Sequence, residues 1–227
     1  MTCPFIHLRV RTEFSLVDSI VRIKPLISAV AGMNMPACAI SDLSNFCGLV
    51  KFYKAAQGAG IKPIGACDFY LQGDEDNPPT LFTLIAMNNQ GYKNIMELIS
   101  RGYQKGQVHG QPRVKREWVQ ECHEGVIALS GGREGEVGLA LIGDRRSQAV
   151  QLASWWQQTF PNRYYLELQR TGRVNEEFYI HAAVGLSSEL QIPVVATNDV
   201  RFITADQFDV HEARVCICLL YTSPSPR

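Results

Sequence analysis

Seven short apolar runs, separated by helix-forming segments, constrain the fold of this chain more than any other feature of its sequence. Most runs are nearly continuous in apolar residues, as expected for parallel strands covered on both faces. The predicted strands are residues 5–10, 37–41, 63–71, 81–86, 126–130, 164–168 and 193–197. Repeated strand-then-helix units predict an α/β fold with a parallel sheet and right-handed crossovers, and seven strands favour a closed barrel over an open sheet.

The segments between these runs carry helix and loop signals. Pro25 suits the first turn of one helix. Further helices are predicted over residues 174–189 and 205–215, and exposed loops over 73–79 and 104–116. Three more helices receive predicted N-caps whose side chains accept hydrogen bonds from backbone amides, namely Ser44, Asn88 or Asn89, and Asp144.

Composition narrows the class of protein. The chain has 227 residues, with 22 Lys+Arg balanced by 22 Asp+Glu, so it lacks the basic footprint of a domain that grips DNA. No apolar run of about 18 residues predicts a membrane span, and the first residues do not resemble a signal peptide. The cysteines form no C-x-x-C pair, which predicts buried, reduced thiols in a cytoplasmic protein. They are Cys3, Cys38, Cys47, Cys67, Cys122, Cys216 and Cys218.

Charged and glycine residues collect where the predicted strands end. In chain order these are Arg9 and Arg11, Asp42 and Leu43, Asp68, Gly131 and Gly132, Arg170 and Thr171, and Asn198, Asp199 and Arg201. A single such residue can be a helix cap or half of a loop salt bridge. Because function in α/β folds gathers at the carboxyl ends of strands, the whole set predicts a functional edge there.

Several segments, taken in order, resemble the PHP domain at the N terminus of bacterial DNA polymerase III alpha subunits. They are residues 7–18, 39–45, 48–53, 61–64, 89–94, 129–132 and 196–202. The resemblance implies a distorted seven-stranded β/α barrel that is C-terminally truncated here. For the parent protein it implies template-directed DNA synthesis with Mg²⁺, held by carboxylates that lie outside this sequence.

The resemblance also places the family's metal ligands on this chain. In metal-binding members, nine positions hold up to three cations. Here those positions are Arg9, Arg11, Asp18, Leu43, Asp68, Leu81, Gly132, Asp199 and Arg201. Arginine has no lone pair for a cation, and each zinc or manganese ion needs about three or four converging donors. The resemblance therefore implies a degenerate site with no bound metal and no catalytic residue in this segment.

The arginines in this set suggest a replacement for the metal ions. Gathered carboxylates repel one another unless positive charge neutralises them, and guanidinium groups can do so through paired hydrogen bonds. We expect Arg9, Arg11 and Arg201 to neutralise the three aspartates of the site, with N–O distances of about 4 Å or less in at least two pairs. The aspartates are Asp18, Asp68 and Asp199. The alternative is that the arginines are ordinary surface residues.

Other chemistry-bearing residues point to no second activity. His7 stands outside the ligand pair and is interpreted as a packing or hydrogen-bonding residue. No zincin, nucleophile-elbow or P-loop motif occurs. Of Trp155 and Trp156, one is expected in the core and the other partly exposed. The basic runs at residues 113–116 and 145–146 are interpreted as solvated faces.

The resemblance implies a cytoplasmic replication protein with no membrane contact. This segment would be structural and would dock the proofreading exonuclease subunit, among other holoenzyme subunits. Primer–template DNA would bind through downstream domains absent here. One alternative is residual metal-dependent phosphoesterase or 3′–5′ exonuclease activity through Asp18, Asp68 and Asp199, and another is a stand-alone PHP-like protein.

The final residues differ in character from the rest. Residues 218–227 resemble the translation of a sequencing adaptor, so we expect a non-native tail after Ile217. An incomplete PHP domain is therefore expected over residues 1–217.

Overall fold

A computed structural model describes residues 5–73 and 78–219. The chain divides into two compact units. The first takes the described residues up to Ile64 and from Asp199 onward, and the second takes Gly65–Asn198. Within these described ranges, no helix is both long enough and apolar enough to cross a membrane.

The secondary structure alternates between strands and helices, as expected. The helices are α1 (Ile23–Gly32), α2 (Leu49–Gly58), α3 (Asn89–Lys105), α4 (Arg116–Glu121), α5 (Glu136–Ile142), α6 (Arg146–Thr159), α7 (Glu176–Leu190) and α8 (Phe208–Leu219). The strands are β1 (Ala37–Leu43), β2 (Lys62–Leu71), β3 (Thr80–Ala86), β4 (Gln107–Val108), β5 (Gln111–Val114), β6 (Val126–Leu129), β7 (Tyr164–Leu168) and β8 (Val194–Ala196). Short 3-10 turns cover Glu13–Ser15, Gly132–Glu134 and Ala205–Gln207.

The first unit has its own apolar core. α1 contributes the buried side chains of Ile23, Leu26, Ile27 and Val30, whose spacing places them on one helix face. They pack with buried residues from the N-terminal segment, β1 and α2, namely Val10, Val21, Cys38, Ile40, Phe52, Ala56 and Ile61. Pro25 lies in the first turn of α1, as predicted.

The second unit is built on a sheet whose strands lie in the order β4-β5-β2-β3-β6-β7-β8. The β2–β5, β6–β7 and β7–β8 pairs are parallel, whereas β3 is antiparallel to both β2 and β6. The predicted α/β class is confirmed, but the expectation of a wholly parallel sheet is wrong. Residues 72–79 are too few to form the crossover that a parallel β2–β3 pair needs.

A hairpin occupies much of the segment 104–116, for which the sequence predicts an exposed loop. β4 and β5 pair antiparallel through Gln107–Pro112 and Val108–Gln111. The two connecting residues, His109 and Gly110, have φ values of 52° and 78°. Positive φ at both positions is the conformation that two-residue hairpin turns favour. The loop prediction is therefore wrong for most of this segment.

The first predicted strand is reduced to a single bridge. Val10 forms an isolated parallel bridge with Val200, and residues 5–9 form no strand. The segment still lies beside β1, because the Ala39 and Ser41 amides donate to the His7 and Val10 carbonyls at 2.8 Å each. The predicted position of this segment is correct, but its assignment as a strand is not.

Of the predicted helix caps, only one is confirmed. The Asn88 side chain accepts from the Gly91 amide at 3.0 Å and caps α3. The cap predictions for Ser44 and Asp144 are wrong, because Gly48 and Arg145 are the N-caps of α2 and α6. Ser44 and Asp144 adopt left-handed φ values of 52° and 54° in the preceding loops. Polar residues that tolerate this conformation also suit tight turns, so the cap signal is ambiguous.

The cysteine prediction is correct for part of the set. Cys38, Cys67 and Cys122 are buried, and burial raises the pKa of the Cys38 thiol to about 12. Cys47 and Cys218 are exposed, which contradicts the prediction for those two. Cys3 and residues 220–227 of the predicted tail lie outside the described residues.

Trp156 anchors the core of the second unit. Its side chain is buried and contacts the rings of Phe82, Phe160 and Tyr164 at centroid distances of 5.1, 5.8 and 5.7 Å. Trp155 is half-buried and lies under the Arg116 guanidinium at 4.8 Å. The expectation of one core ring and one partly exposed ring is confirmed.

A buried carboxylate, Glu176, fixes the loop before α7. It accepts hydrogen bonds from the Thr171 amide at 2.6 Å, the Thr171 hydroxyl at 2.8 Å and the Gly172 amide at 2.7 Å. Burial alone would raise the pKa of Glu176, but these hydrogen bonds outweigh it and lower the pKa below its ordinary value of 4.5. A lowered folded-state pKa stabilises the fold above the unfolded-state pKa, and that stability is lost as the pH falls through the folded value.

Glu176→Gln is therefore expected to lower the free energy of unfolding at neutral pH by about 1–2 kcal/mol, because hydrogen bonds to charged groups are strengthened by the charge. Urea unfolding of the unchanged chain and of Glu176→Gln, each at neutral and at acidic pH, measures this difference in the free energy of unfolding. The difference should shrink below about pH 4.5. Glu177→Gln, at an exposed neighbour, is the control and should change little. A difference in the free energy of unfolding that stays constant at all pH values would contradict a stabilising role for the charged Glu176 carboxylate.

Candidate functional site

The nine predicted site positions divide between the two units. Those in the first unit are Arg9, Arg11, Asp18, Leu43, Asp199 and Arg201. Asp68, Leu81 and Gly132 belong to the second.

In the first unit, the Asp18 carboxylate is shared by two arginines. Arg11 Nη1 donates to Asp18 Oδ2 at 2.9 Å, and Arg201 Nη1 donates to Asp18 Oδ1 at 3.0 Å. Arg201 also donates from Nε to Asp199 Oδ2 at 2.9 Å. Three ion pairs therefore join four of the predicted positions, within the distance that the sequence-based hypothesis requires.

Backbone contacts place these side chains together. The Arg11 amide donates to the Val200 carbonyl at 3.1 Å, beside the Val10–Val200 bridge, and the Ile20 amide donates to the Arg201 carbonyl at 3.1 Å. The buried Ser19 hydroxyl lies 2.6 Å from the Arg11 carbonyl and 3.0 Å from the Arg201 carbonyl. Residues 10–20 and 199–201 are thus held side by side although about 180 residues separate them in the sequence.

The ion pairs are largely withdrawn from water. Side-chain exposure is 3% for Arg11 and 22% for Asp18. It is 18% for Arg201 and 4% for Asp199. At this depth the charges are screened less than on a surface, and removal of one member leaves a poorly solvated partner. We call Arg11, Asp18, Asp199 and Arg201 the arginine–aspartate cluster.

Arg9 and Asp68 are two further predicted positions. Arg9 is buried in the first unit. In the second unit, Asp68 is buried and its Oδ1 accepts from the Thr83 hydroxyl at 2.6 Å, across the β2–β3 pair. The expectation of at least two arginine–aspartate pairs within about 4 Å is met by the Arg11–Asp18, Arg201–Asp18 and Arg201–Asp199 pairs.

Leu81 and Gly132 contribute apolar and backbone surface. Leu81 is buried in β3, and its carbonyl lies 1.9 Å from where a Cβ on Gly131 would sit. Gly131 and Gly132 have φ values of 76° and 60°, so both adopt a left-handed conformation that a side chain disfavours. The turn after β6 therefore favours glycine at both positions.

The donor set does not fit a metal ion. Both oxygens of Asp18 and one of Asp199 already accept from guanidinium groups, and Leu43, Leu81 and Gly132 have no side-chain donor. Across residues 5–73 and 78–219, no three His, Cys, Asp or Glu side chains are grouped to hold a cation. Zinc and manganese need such convergent lone pairs, so these residues support no reaction step through a metal.

Sequence reasoning missed the role of Asp42 beside this site. Asp42 is buried and accepts from the Thr12 amide at 2.7 Å, from the Thr12 hydroxyl at 2.8 Å and from the Ser15 hydroxyl at 2.7 Å. These bonds hold the 3-10 turn Glu13–Ser15 that leads into Asp18. The Thr-x-x-Ser spacing signals a turn, but nothing local identifies its acceptor about 30 residues away.

A second buried carboxylate, Glu167, was also missed. It accepts from the Gly131 amide at 2.7 Å and from the Thr197 hydroxyl at 2.7 Å. Tyr179 donates to the Glu167 carbonyl at 2.6 Å, and burial raises the pKa of Tyr179 so that the hydroxyl stays protonated. These bonds tie the ends of β6, β7 and β8 together within the second unit.

The histidines take structural roles where the structure describes their contacts. His211 of α8 approaches the Asp18 carbonyl through Nε2 at 3.1 Å, a contact that sequence reasoning did not foresee. His7 packs edge-on against Phe5 at 5.0 Å, and burial lowers its pKa. The prediction of a packing role for His7 is consistent with this contact.

Two solved structures resemble this fold. An amidohydrolase from Chromobacterium violaceum, determined with bound sulfate and no metal, matches with a TM-score of 0.60 at 10% identity, covering 92% of this chain and 96% of the other. A protein from Bifidobacterium adolescentis described as a metal-dependent phosphoesterase matches with a TM-score of 0.58 at 9% identity, covering 92% and 95%. At such low identity the likeness concerns the fold alone.

Sequence relatives are much closer. The DNA polymerase III subunit alpha of Pseudomonas aeruginosa is 54% identical over 228 residues, covering 100% of this chain and 19% of the relative. That of Escherichia coli K12 is 47% identical over 227 residues, covering 98% and 19%. The chain thus spans about a fifth of the length of these relatives.

The sequence pattern of the PHP domain family matches residues 7–171, which is well over half of the chain. The match includes Arg9, Arg11 and Asp18 of the site and the β6 turn at Gly131 and Gly132. The expected β/α fold of this family agrees with the two structural likenesses. The chain belongs to the PHP domain family.

Proposed function

We propose that this chain is part of the alpha subunit of a bacterial replicative DNA polymerase, and that its PHP domain serves as a structural and docking element without phosphoesterase activity. The observation that carries the proposal is the Asp18 carboxylate, whose two oxygens accept from Arg11 and Arg201. Guanidinium groups occupy positions where a metal-dependent PHP domain needs ligands. The cluster supplies rigidity in place of a Lewis acid.

The parent protein would synthesise DNA in the cytoplasm from deoxynucleoside triphosphates on a primer–template. Support comes from identities of 47–54% to DNA polymerase III alpha subunits across nearly all of this chain. The Mg²⁺ ions and the carboxylates that bind them would belong to a palm domain beyond these residues. Primer–template DNA would bind there too, since this segment has a formal net charge of zero.

Two alternatives have less support. Residual phosphoesterase or 3′–5′ exonuclease chemistry would need Asp18, Asp68 and Asp199 as ligands, yet Asp18 and Asp199 are engaged by arginine. A stand-alone PHP-like protein would not require such close relatives among polymerase subunits. The proposed docking role instead gives the domain partners, the proofreading exonuclease subunit foremost among the holoenzyme subunits.

Docking is tested by sedimentation velocity of the purified chain mixed with the proofreading exonuclease subunit of a closely related replicase, such as that of Pseudomonas aeruginosa. A one-to-one complex is the expected result, since a 54% identical surface should retain its contacts. An unrelated exonuclease of similar size is the control. Failure of the two proteins to co-sediment at micromolar concentrations would remove the docking role.

A further inference from the structure

A groove in the first unit lies beside the arginine–aspartate cluster. Its volume is about 520 Å³, which is within the range of about 300–1,000 Å³ for ligand-sized sites. The groove is apolar along Ile20, Pro25, Ile203 and Val210 and carries Arg22 and Arg214 as cations. We call this surface the α8 groove.

The contacts of the cluster build the groove. Residues 13–25 supply one wall, and residues 203–214 supply the other. These walls are joined by the Asp18–Arg201 ion pair, by the Ile20 amide on the Arg201 carbonyl, and by His211 on the Asp18 carbonyl. Gln207 further fixes the second wall by accepting from the Ile203 amide at 3.0 Å. The groove is therefore preformed by hydrogen bonds that do not depend on an occupant.

Apolar surface in this groove is left open to water. Val210 is 60% exposed although it stands among Ile20, Pro25 and Ile203. On α8, Val210 and Arg214 are spaced so that they share one helix face, and Gln207 lies in the 3-10 turn that leads into the helix. An exposed apolar strip between cations is typical of a surface that receives an amphipathic segment.

The charges around the apolar strip favour a partner segment of negative charge. The Arg22 side chain is 78% exposed and is only loosely paired with Glu13, at 3.8 Å. Lys51 also approaches Glu13, at 3.6 Å, so two cations share the one carboxylate of the groove. Arg214 adds a further positive charge, and the acidic residues Asp209 and Glu212 of α8 do not line the groove. The net positive edge favours carboxylates on the occupant.

We infer that the α8 groove docks a peptide segment of a partner protein in which one or two large apolar side chains lie beside acidic residues. The inference rests on the proposed docking role, and it assigns to that role a surface and a chemistry. The apolar side chain would cover Val210 and Ile203, and the carboxylates would pair with Arg22 and Arg214. The arginine–aspartate cluster, which stands at the positions where metal-binding relatives carry ligands, would thus stabilise the walls of this binding surface.

The test measures the dissociation constant between the purified chain and the proofreading exonuclease subunit for the variants Val210→Glu and Arg214→Glu. Each is expected to weaken binding by about tenfold or more, because one places a charge on the apolar strip and the other reverses a complementary charge. The controls are Val50→Glu and Lys54→Glu, in exposed residues of α2 outside the groove. Thermal melting of each variant verifies that the fold is retained.

The outcomes separate the two proposals. Absence of binding by the unchanged chain contradicts the docking role itself. Binding that resists both groove variants leaves docking in place but overturns the groove. A peptide with leucine flanked by glutamates should compete for the groove, whereas its lysine-flanked counterpart should not. If Val210→Glu only dissociates a dimer of this chain and leaves exonuclease binding unchanged, the occupant is a second copy and the inference is wrong.

Discussion

Arg201→Ala is expected to lower the free energy of unfolding by about 3 kcal/mol or more, because breaking a buried ion pair leaves uncompensated charge. Arg201 donates to both Asp18 and Asp199, so its loss affects two carboxylates, one of which is only 4% exposed. It also removes the Arg201–Asp18 ion pair between residues 10–20 and 199–201, while the backbone hydrogen bonds between these segments remain. Denaturant unfolding followed by circular dichroism measures the effect.

The matched control is Arg170→Ala. Arg170 pairs with Glu177, but both side chains are more than 60% exposed, at 71% and 61%. Exposed pairs contribute about 0–1 kcal/mol, so this change should be small. Arg201→Lys should fall between the two, since lysine keeps the charge but cannot span two carboxylates with a planar fork. Equal destabilisation by Arg201→Ala and Arg170→Ala would show that the cluster has no special role.

Trp156→Ala is expected to cost about 3–5 kcal/mol, as is typical when a large aromatic side chain is removed from a core. The ring contacts four aromatic neighbours, Trp155 among them, and Nε1 donates to Glu136 at 2.5 Å. The change therefore opens a cavity and leaves part of the Glu136 carboxylate without a donor. Thermal and urea unfolding should both show the loss.

Trp155→Ala provides the comparison within the same helix. Trp155 is half-buried, and its ring contacts Trp156 edge-on at 5.1 Å and the Arg116 guanidinium. Its removal should cost clearly less, about 1–2 kcal/mol, because less apolar surface returns to water. If the two variants were equally destabilised, the assignment of Trp156 as the core anchor would be incorrect.

The sequence supports the strand positions well because burial leaves a strong local signal. Residues 126–130 and 164–168 read as apolar runs and form β6 and β7 within one residue of the predicted bounds. The hairpin at β4 and β5 was missed because its strands have only two and four residues and are rich in Gln and Pro. Such short strands depend on pairing with neighbours, which no local pattern encodes.

Strand direction is the least predictable feature of the sheet. An apolar run such as 81–86 shows that a strand is covered, but β3 is antiparallel to both of its neighbours. The direction of β3 depends on the paths of the chain connections before and after it. The sequence of the 72–79 connection suggests a loop but does not state where the next strand pairs.

The site is partly predictable because opposite charges must neutralise each other. Arg11, Arg201, Asp18 and Asp199 are identified from motif positions, and the structure joins them through three ion pairs. That Asp18 is shared by two arginines cannot be read from the sequence. Neither can the role of Asp42, because its partners Thr12 and Ser15 are brought to it only by the fold.

The most direct test of the account is the melting temperature of the purified chain with EDTA and with added Zn²⁺ or Mn²⁺. A ligand that binds the folded state raises the melting temperature, and its removal lowers it. Because guanidinium groups already occupy Asp18 and Asp199, we predict that the melting temperature changes by no more than about 1 °C in either condition. A fall of several degrees with EDTA, or a rise of that size with either metal, would show that the domain still holds a metal ion and that the arginines have not replaced it.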